Sequence, residues 1–156
     1  MKKVFILFCM LVSLVFASDS SFDEVLAKAK QGDAEAQFLL GLMYDQGQGV
    51  KQDYEKAAEW FSKAANQGYA KAQYNLGAMY ENGQAVRQDY KKAFEWYSKA
   101  ANQGYAKAQY NLGAMYEKGY GVRQDLKKAK EYFGLSCDSG LQLGCDAYRE
   151  LNERGI

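Results

Sequence analysis

The 156-residue chain contains no histidine and no proline. The missing His removes the usual general base and the commonest zinc ligand together, so no His-dependent catalytic or zinc centre can be built from this sequence. The missing Pro leaves helix interiors without their strongest breaker. Cysteine is scarce: of three, Cys9 lies in an N-terminal apolar run, which leaves Cys137 and Cys145. No basic run or stripe stands out along the chain, which argues against nucleic acid or an anionic membrane as partner. There is no Gly-rich phosphate loop, because the glycines recur as punctuation between helices. No acidic pair stands apart from ordinary helix-surface charge. No cofactor and no metal is expected.

The N-terminus carries Lys2 and Lys3, then an apolar run from Val4 to Phe16 interrupted only by Ser13, then small residues including Val15 and Ala17 around a cleavage point. This is the pattern of a secretory signal peptide over residues 1–17, with cleavage after Ala17, and the run is short for a bilayer span. The expected location is periplasmic or secreted, with no stable membrane insertion after cleavage. The whole chain has a formal charge of +1, and removing Lys2 and Lys3 makes it −1. Two cysteines in an exported protein suggest one disulfide.

The strongest signal is internal repetition. Ser62–Glu81 and Ser98–Glu117 are identical over twenty residues at an offset of 36. The same offset relates Gly41, Gly77 and Gly113, relates Gly47, Gly83 and Gly119, and relates Asp53, Asp89 and Asp125. Each unit reads as two helices. In the first, Ala36, Leu40, Met43 and Tyr44 share one helical face. Gly47 follows where a left-handed C-cap is wanted, and Asp53 is placed to N-cap a second helix that ends at Gly68. Units are expected at about 33–68, 69–104 and 105–140, with an opening helix over 21–31 and a closing helix over 142–154. Gly41, Gly77 and Gly113 fall inside helices, where glycine costs roughly 1 kcal/mol relative to Ala. Close approach by an aromatic of the partner helix would explain them, with Trp60, Trp96 and Tyr132 as candidates. One helix pair cannot bury its own apolar face, so stacked units must share a core.

The pattern A-x-A-Q-x-x-L-G-x-M-Y-x-x-G followed by V-[KR]-Q-D-Y-x-K-A-x-E-W-[FY]-S-K-A-A-N-Q-G resembles the Sel1-like repeat, a relative of the tetratricopeptide repeat. The resemblance implies an all-α, right-handed helical solenoid of helix–turn–helix repeats. The stretch Tyr132–Glu153, with Cys137 and Cys145 inside it, resembles the Helicobacter cysteine-rich proteins, secreted solenoids that carry such a Cys pair in each repeat. This chain departs from them: Ala65 with Gln73, and Ala101 with Gln109, stand where those proteins have the pair. A Cys137–Cys145 bond would staple the closing helix to its neighbour. A redox-active pair is the alternative, but it lacks C-x-x-C spacing and a nearby His.

In related helical solenoids the first helix of each pair lines a concave groove. Carried over by position, the groove residues are Glu35, Phe38, Leu42 and Asp45 in the first unit. They are Lys71, Tyr74, Ala78 and Glu81 in the second, and Lys107, Tyr110, Ala114 and Glu117 in the third. Phe38, Tyr74 and Tyr110 would form an aromatic ladder able to anchor a ligand, or would pack between units. The expected function is protein or peptide binding, as scaffold or adaptor, in the periplasm or outside the cell. The Helicobacter resemblance implies an alternative: binding of a β-lactam or peptidoglycan-like ligand with β-lactamase (hydrolase) activity. None of the serine β-lactamase motifs S-x-x-K, S-D-N or K-T-G occurs, so the catalytic residues of such an activity are unassigned.

Overall fold

The computed structural model describes residues 21–156, so the residues read as a signal peptide lie outside the described part. Eight helices and no strands occur among the described residues. Helix α1 covers residues 21–30. It is followed by α2 (Ala34–Gln46), α3 (Tyr54–Asn66), α4 (Ala70–Asn82), α5 (Tyr90–Ala101), α6 (Ala106–Lys118), α7 (Leu126–Asp138) and α8 (Gln142–Glu153). The pairs α2/α3, α4/α5 and α6/α7 are the two-helix units, and each unit packs on the next through α3/α4, α5/α6 and α7/α8. Contacts between neighbours in chain order dominate, which is the packing logic of a solenoid.

Local chemistry fixes the helix ends. The Asp53, Asp89 and Asp125 carboxylates accept from the backbone N–H groups of Lys56, Lys92 and Lys128 at the starts of α3, α5 and α7. These bonds satisfy donors that a helix leaves free in its first turn. First helices stop at Gly47, Gly83 and Gly119, whose φ values of 68°, 68° and 73° are left-handed. Each of these glycines donates its N–H back to the Met43, Met79 or Met115 carbonyl.

Within each unit an aromatic ring of the second helix sits directly on the mid-helix glycine of the first. The rings are Phe61 on Gly41, Tyr97 on Gly77 and Phe133 on Gly113, and a Cβ added at those glycines would lie 2.6, 2.7 and 2.6 Å from a ring carbon. This corrects the expectation of Trp60, Trp96 and Tyr132 by one residue, about 100° of helix rotation. Trp60 and Trp96 instead lie under the Lys63 and Lys99 ammonium groups at 4.0 and 3.9 Å from the ring centroids. Tyr132 stacks on Tyr116 at 5.6 Å. The seated rings are buried with Ala57, Ala93 and Ala129, Leu76 and Leu112, and Met79 and Met115.

Between units the contact is polar as well as apolar. Gln37, Gln73 and Gln109 are buried, and each side-chain amide donates to a carbonyl eight residues earlier, that of Ala29, Ala65 or Ala101. A second glutamine braces the first two of these. Gln67 Nε2 donates to Gly32 O and Gln37 Oε1, and Gln103 Nε2 donates to Gly68 O and Gln73 Oε1, at 2.8–2.9 Å. At the last junction Cys137 occupies the Ala position and Cys145 the Gln position, and the two are disulfide-bonded with Cα atoms 4.5 Å apart. A covalent bond thus replaces a hydrogen bond at the same sequence separation of eight.

Two stability outcomes follow from this packing. Gly77→Ala ordinarily would raise helix propensity by about 1 kcal/mol. Here the new methyl meets the fully buried Tyr97 ring, and overpacking of roughly 1–3 kcal/mol should prevail. Urea unfolding is expected to show a net loss of stability. Replacing Cys137 and Cys145 by Ala should lower stability by about 2.5 kcal/mol, the loop-entropy value for a loop of this length. Cys137→Ala with Cys145→Gln recreates the junction of the earlier units and should recover about 1 kcal/mol of that loss. Equal midpoints for the two double variants would show that the Gln–carbonyl bond contributes nothing.

Candidate binding groove

The first-helix face of α2, α4 and α6 carries the residues expected to line a groove. Heptad-like spacing aligns them: Lys71, Tyr74, Ala78 and Glu81 fall at three- and four-residue steps on α4, and the same set recurs on α6. Lys71 and Lys107 are exposed at one end of their helices, and neither is ion-paired among the described residues. Glu81 and Glu117 lie about ten residues on, roughly 15 Å along the helix axis. Glu35 is exposed, Leu42 is half-buried, and burial raises the half-buried Asp45 carboxyl above its ordinary pKa.

The aromatic ladder is graded along the chain. Phe38 is only 8% exposed and is held between Phe61 and Tyr69 at centroid distances of 5.9 and 5.2 Å, so it serves the core rather than the surface. Tyr74 lies between Tyr97 and Tyr105 at 5.6 and 5.3 Å and is half-buried. Tyr110 packs at a tilt on Phe133, with ring centroids 5.4 Å apart. Position 141 is Leu where the earlier units have Tyr69 and Tyr105, so Tyr110 has no aromatic on that second side. The ladder is therefore part packing and part surface, with Tyr74 and Tyr110 as its accessible members.

Residues absent from the sequence-derived set belong to the same face. Leu39 is 41% exposed, and Asn75 and Asn111 occupy its position in the next two units. The four-residue step from Glu35, Lys71 and Lys107 could have found all three. Tyr97 was also missed. It stands where the neighbouring units have Phe61 and Phe133, and its hydroxyl donates to Glu81 Oε2 at 2.6 Å. Burial first, and then the hydrogen bond to the Glu81 carboxylate, push its phenol well above the ordinary range. The Asn111 side chain approaches both Tyr97 and Tyr74, and burial also raises Tyr74. The result is one polar cluster, Tyr74–Tyr97–Glu81–Asn111, at the step between the second and third units. At the next step Glu117 is instead paired with Arg154 at 3.3 Å.

The turns that lead into the second helices hold two clefts of about 750 and 620 Å³ at equivalent positions of successive units. Arg87, Lys91 and Lys92 line one, and Arg123, Lys127 and Lys128 line the other, with Asp89 and Asp125 among them. Each cleft is built mainly by one contiguous turn-to-helix segment, Val86–Lys92 or Val122–Lys128.

The Tyr97 phenol yields a pH-dependent outcome. Its folded pKa lies above the unfolded value of about 10, so its contribution is fully present below that pH and is lost as alkali ionises the unfolded chain. Tyr97→Phe should lower stability by about 1 kcal/mol at neutral pH and flatten the decline above pH 10. Urea midpoints measured from neutral pH into the alkaline range check both parts.

A family model for the Sel1 repeat matches residues 34–69, 70–105 and 106–141. Among solved structures, c5321, a protective antigen present in uropathogenic Escherichia coli strains, is 43% identical with a TM-score of 0.77. That match covers 79% of this chain, which spans only 26% of the E. coli protein. A Sel1 repeat protein from Oxalobacter formigenes is 36% identical with a TM-score of 0.77, over 83% of this chain and 98% of the other. Helicobacter pylori cysteine rich protein B is 23% identical with a TM-score of 0.68, over 82% and 95% of the two chains, a likeness of fold alone. Among curated proteins none matches. With three consecutive repeats and relatives at this identity, the chain belongs to the Sel1 repeat family.

Proposed function

We propose that this protein is an extracytoplasmic binding module that holds an extended segment of a partner protein along the first-helix face of its repeats. Sel1 repeats are generally protein-interaction scaffolds rather than enzymes, which supports the class. The observation that carries the reading is the recurrence, at 36 residues, of Lys71, Tyr74 and Glu81 as Lys107, Tyr110 and Glu117 on one face. A half-buried aromatic flanked by a free ammonium and a carboxylate offers an apolar anchor between opposite charges, and the packed rings beneath hold that anchor rigid. Bound chain of one polarity would meet the same trio twice. The export signal over residues 1–17 and the Cys137–Cys145 bond support an oxidising location. The β-lactamase alternative rests on the Helicobacter resemblance. Tyr97, whose phenol is held against the Glu81 carboxylate, has its pKa raised, the opposite of what an activated nucleophile requires.

Site-specific photo-crosslinking tests the groove. A photoreactive residue placed at Asn75 or Asn111 should give discrete partner adducts in the source cell, whereas one at Glu59 or Glu95, on the second helices, should not. Lys71→Glu with Lys107→Glu should reduce the groove adducts several-fold. Adducts formed equally well from the second helices would move the binding surface away from this face.

A further inference from the structure

At two of its junctions the chain binds a primary carboxamide to itself. Gln67 Nε2 and Gln103 Nε2 each bridge a glycine carbonyl at the turn between units and the Oε1 of a buried glutamine, Gly32 with Gln37 and Gly68 with Gln73. The third junction repeats the acceptor half of this arrangement: Gly104, Tyr105, Ala106, Lys107 and Gln109 match Gly68, Tyr69, Ala70, Lys71 and Gln73 residue for residue. The donor does not recur, because position 139 is Ser. Gln109 is only 5% exposed, and its Oε1 is a buried side-chain atom with no hydrogen-bond partner. A buried acceptor left in that condition costs roughly 1–3 kcal/mol. The same turn holds an open depression of about 350 Å³ lined by Gly104, whose carbonyl is the second acceptor of the arrangement, and by Lys107, Ser139 and Leu141.

We infer that this third junction is a binding site for a primary carboxamide presented from outside, as on a glutamine side chain. The chemistry is set by the two occupied copies: a group donating two N–H bonds at once, toward Gln109 Oε1 and toward the Gly104 carbonyl. A carboxylate fails, since it would place acceptors against acceptors. The route is the one the Gln67 and Gln103 side chains take from their own exposed positions: Ser139 is exposed and too short to fill it, and the incoming carboxamide must part the side chains that cover Gln109 Oε1. Lys107 borders both this cavity and the first-helix face, so a peptide could reach the two together, but the carboxamide site stands whether or not the groove binds a partner.

The test uses the disulfide-bonded protein with isotope-labelled amides, titrated with N-acetyl-L-glutamine N-methylamide to high millimolar concentration. Saturable shifts are expected for the Gln109 side-chain amide and the Gly104 and Tyr105 backbone amides. The glutamate counterpart of the probe should leave them in place. Ser139→Gln should supply the donor internally, raise the unfolding midpoint and abolish the shifts. Ser139→Leu, which plugs the cavity without a polar group, should abolish them as well. Absence of shifts in the wild-type protein, equal shifts with the glutamate probe, or shifts that persist in both variants would each overturn the assignment.

Discussion

An aromatic ring resting on a bare helix backbone sets the spacing on which the other contacts depend. Phe61, Tyr97 and Phe133 approach Gly41, Gly77 and Gly113 so closely that no methyl fits between. That approach fixes the distance between the two helices of a unit, because both partners are stiff: a helix backbone on one side and a planar ring on the other. The same rings then support the next layer. Phe38 packs at a tilt on Phe61, Tyr74 on Tyr97 and Tyr110 on Phe133, so the aromatic members of the candidate groove are held by the core that the glycines make possible. Where glycine is replaced, the seat is lost. Arg149 stands one repeat after Gly113, on α8, and leaves no bare backbone there for a second-helix ring.

Between units the problem is different, because two helix ends and a tight turn bury backbone carbonyls that need donors. The chain solves this by a glutamine that reaches back eight residues, braced by a second glutamine from the following turn. The disulfide at Cys137–Cys145 is best understood as a third form of the same junction. It links the same two helix positions, and it does so where α8 has a neighbour on one side only and gains least from stacking. A covalent bond at this one register thus does the work that a hydrogen bond does in the earlier units.

Function in such a scaffold rests on where the repeat symmetry is kept and where it is broken. Lys71, Tyr74 and Glu81 recur, and give the first-helix face a periodic character suited to an extended chain. Tyr97 in place of Phe, Leu141 in place of Tyr, Ser139 in place of Gln and the Arg154–Glu117 pair each break the period at the second and third units. These departures make the steps around the third unit differ from the first. Identical sequence therefore does not mean identical surface, since each unit is finished by residues of the next.

Sequence alone determined the helical repeat, its 36-residue period, the Asp N-caps, the left-handed glycine C-caps and the family, because these rest on local chemistry and on self-similarity that requires no third dimension. It also determined that a packed aromatic must explain the mid-helix glycines. It did not determine which aromatic. Trp60 and Phe61 are adjacent and both apolar, and only the rotation of the second helix, set by packing against two neighbours at once, decides which one turns inward. The groove was legible as a face but not as a surface: spacing placed Phe38, Tyr74 and Tyr110 in line, while only the packed structure shows Phe38 buried and the two tyrosines half-buried. The Tyr97–Glu81 bond and the unpartnered Gln109 Oε1 are likewise products of tertiary structure, because each depends on residues whose separation in the chain carries no hint of their contact in space.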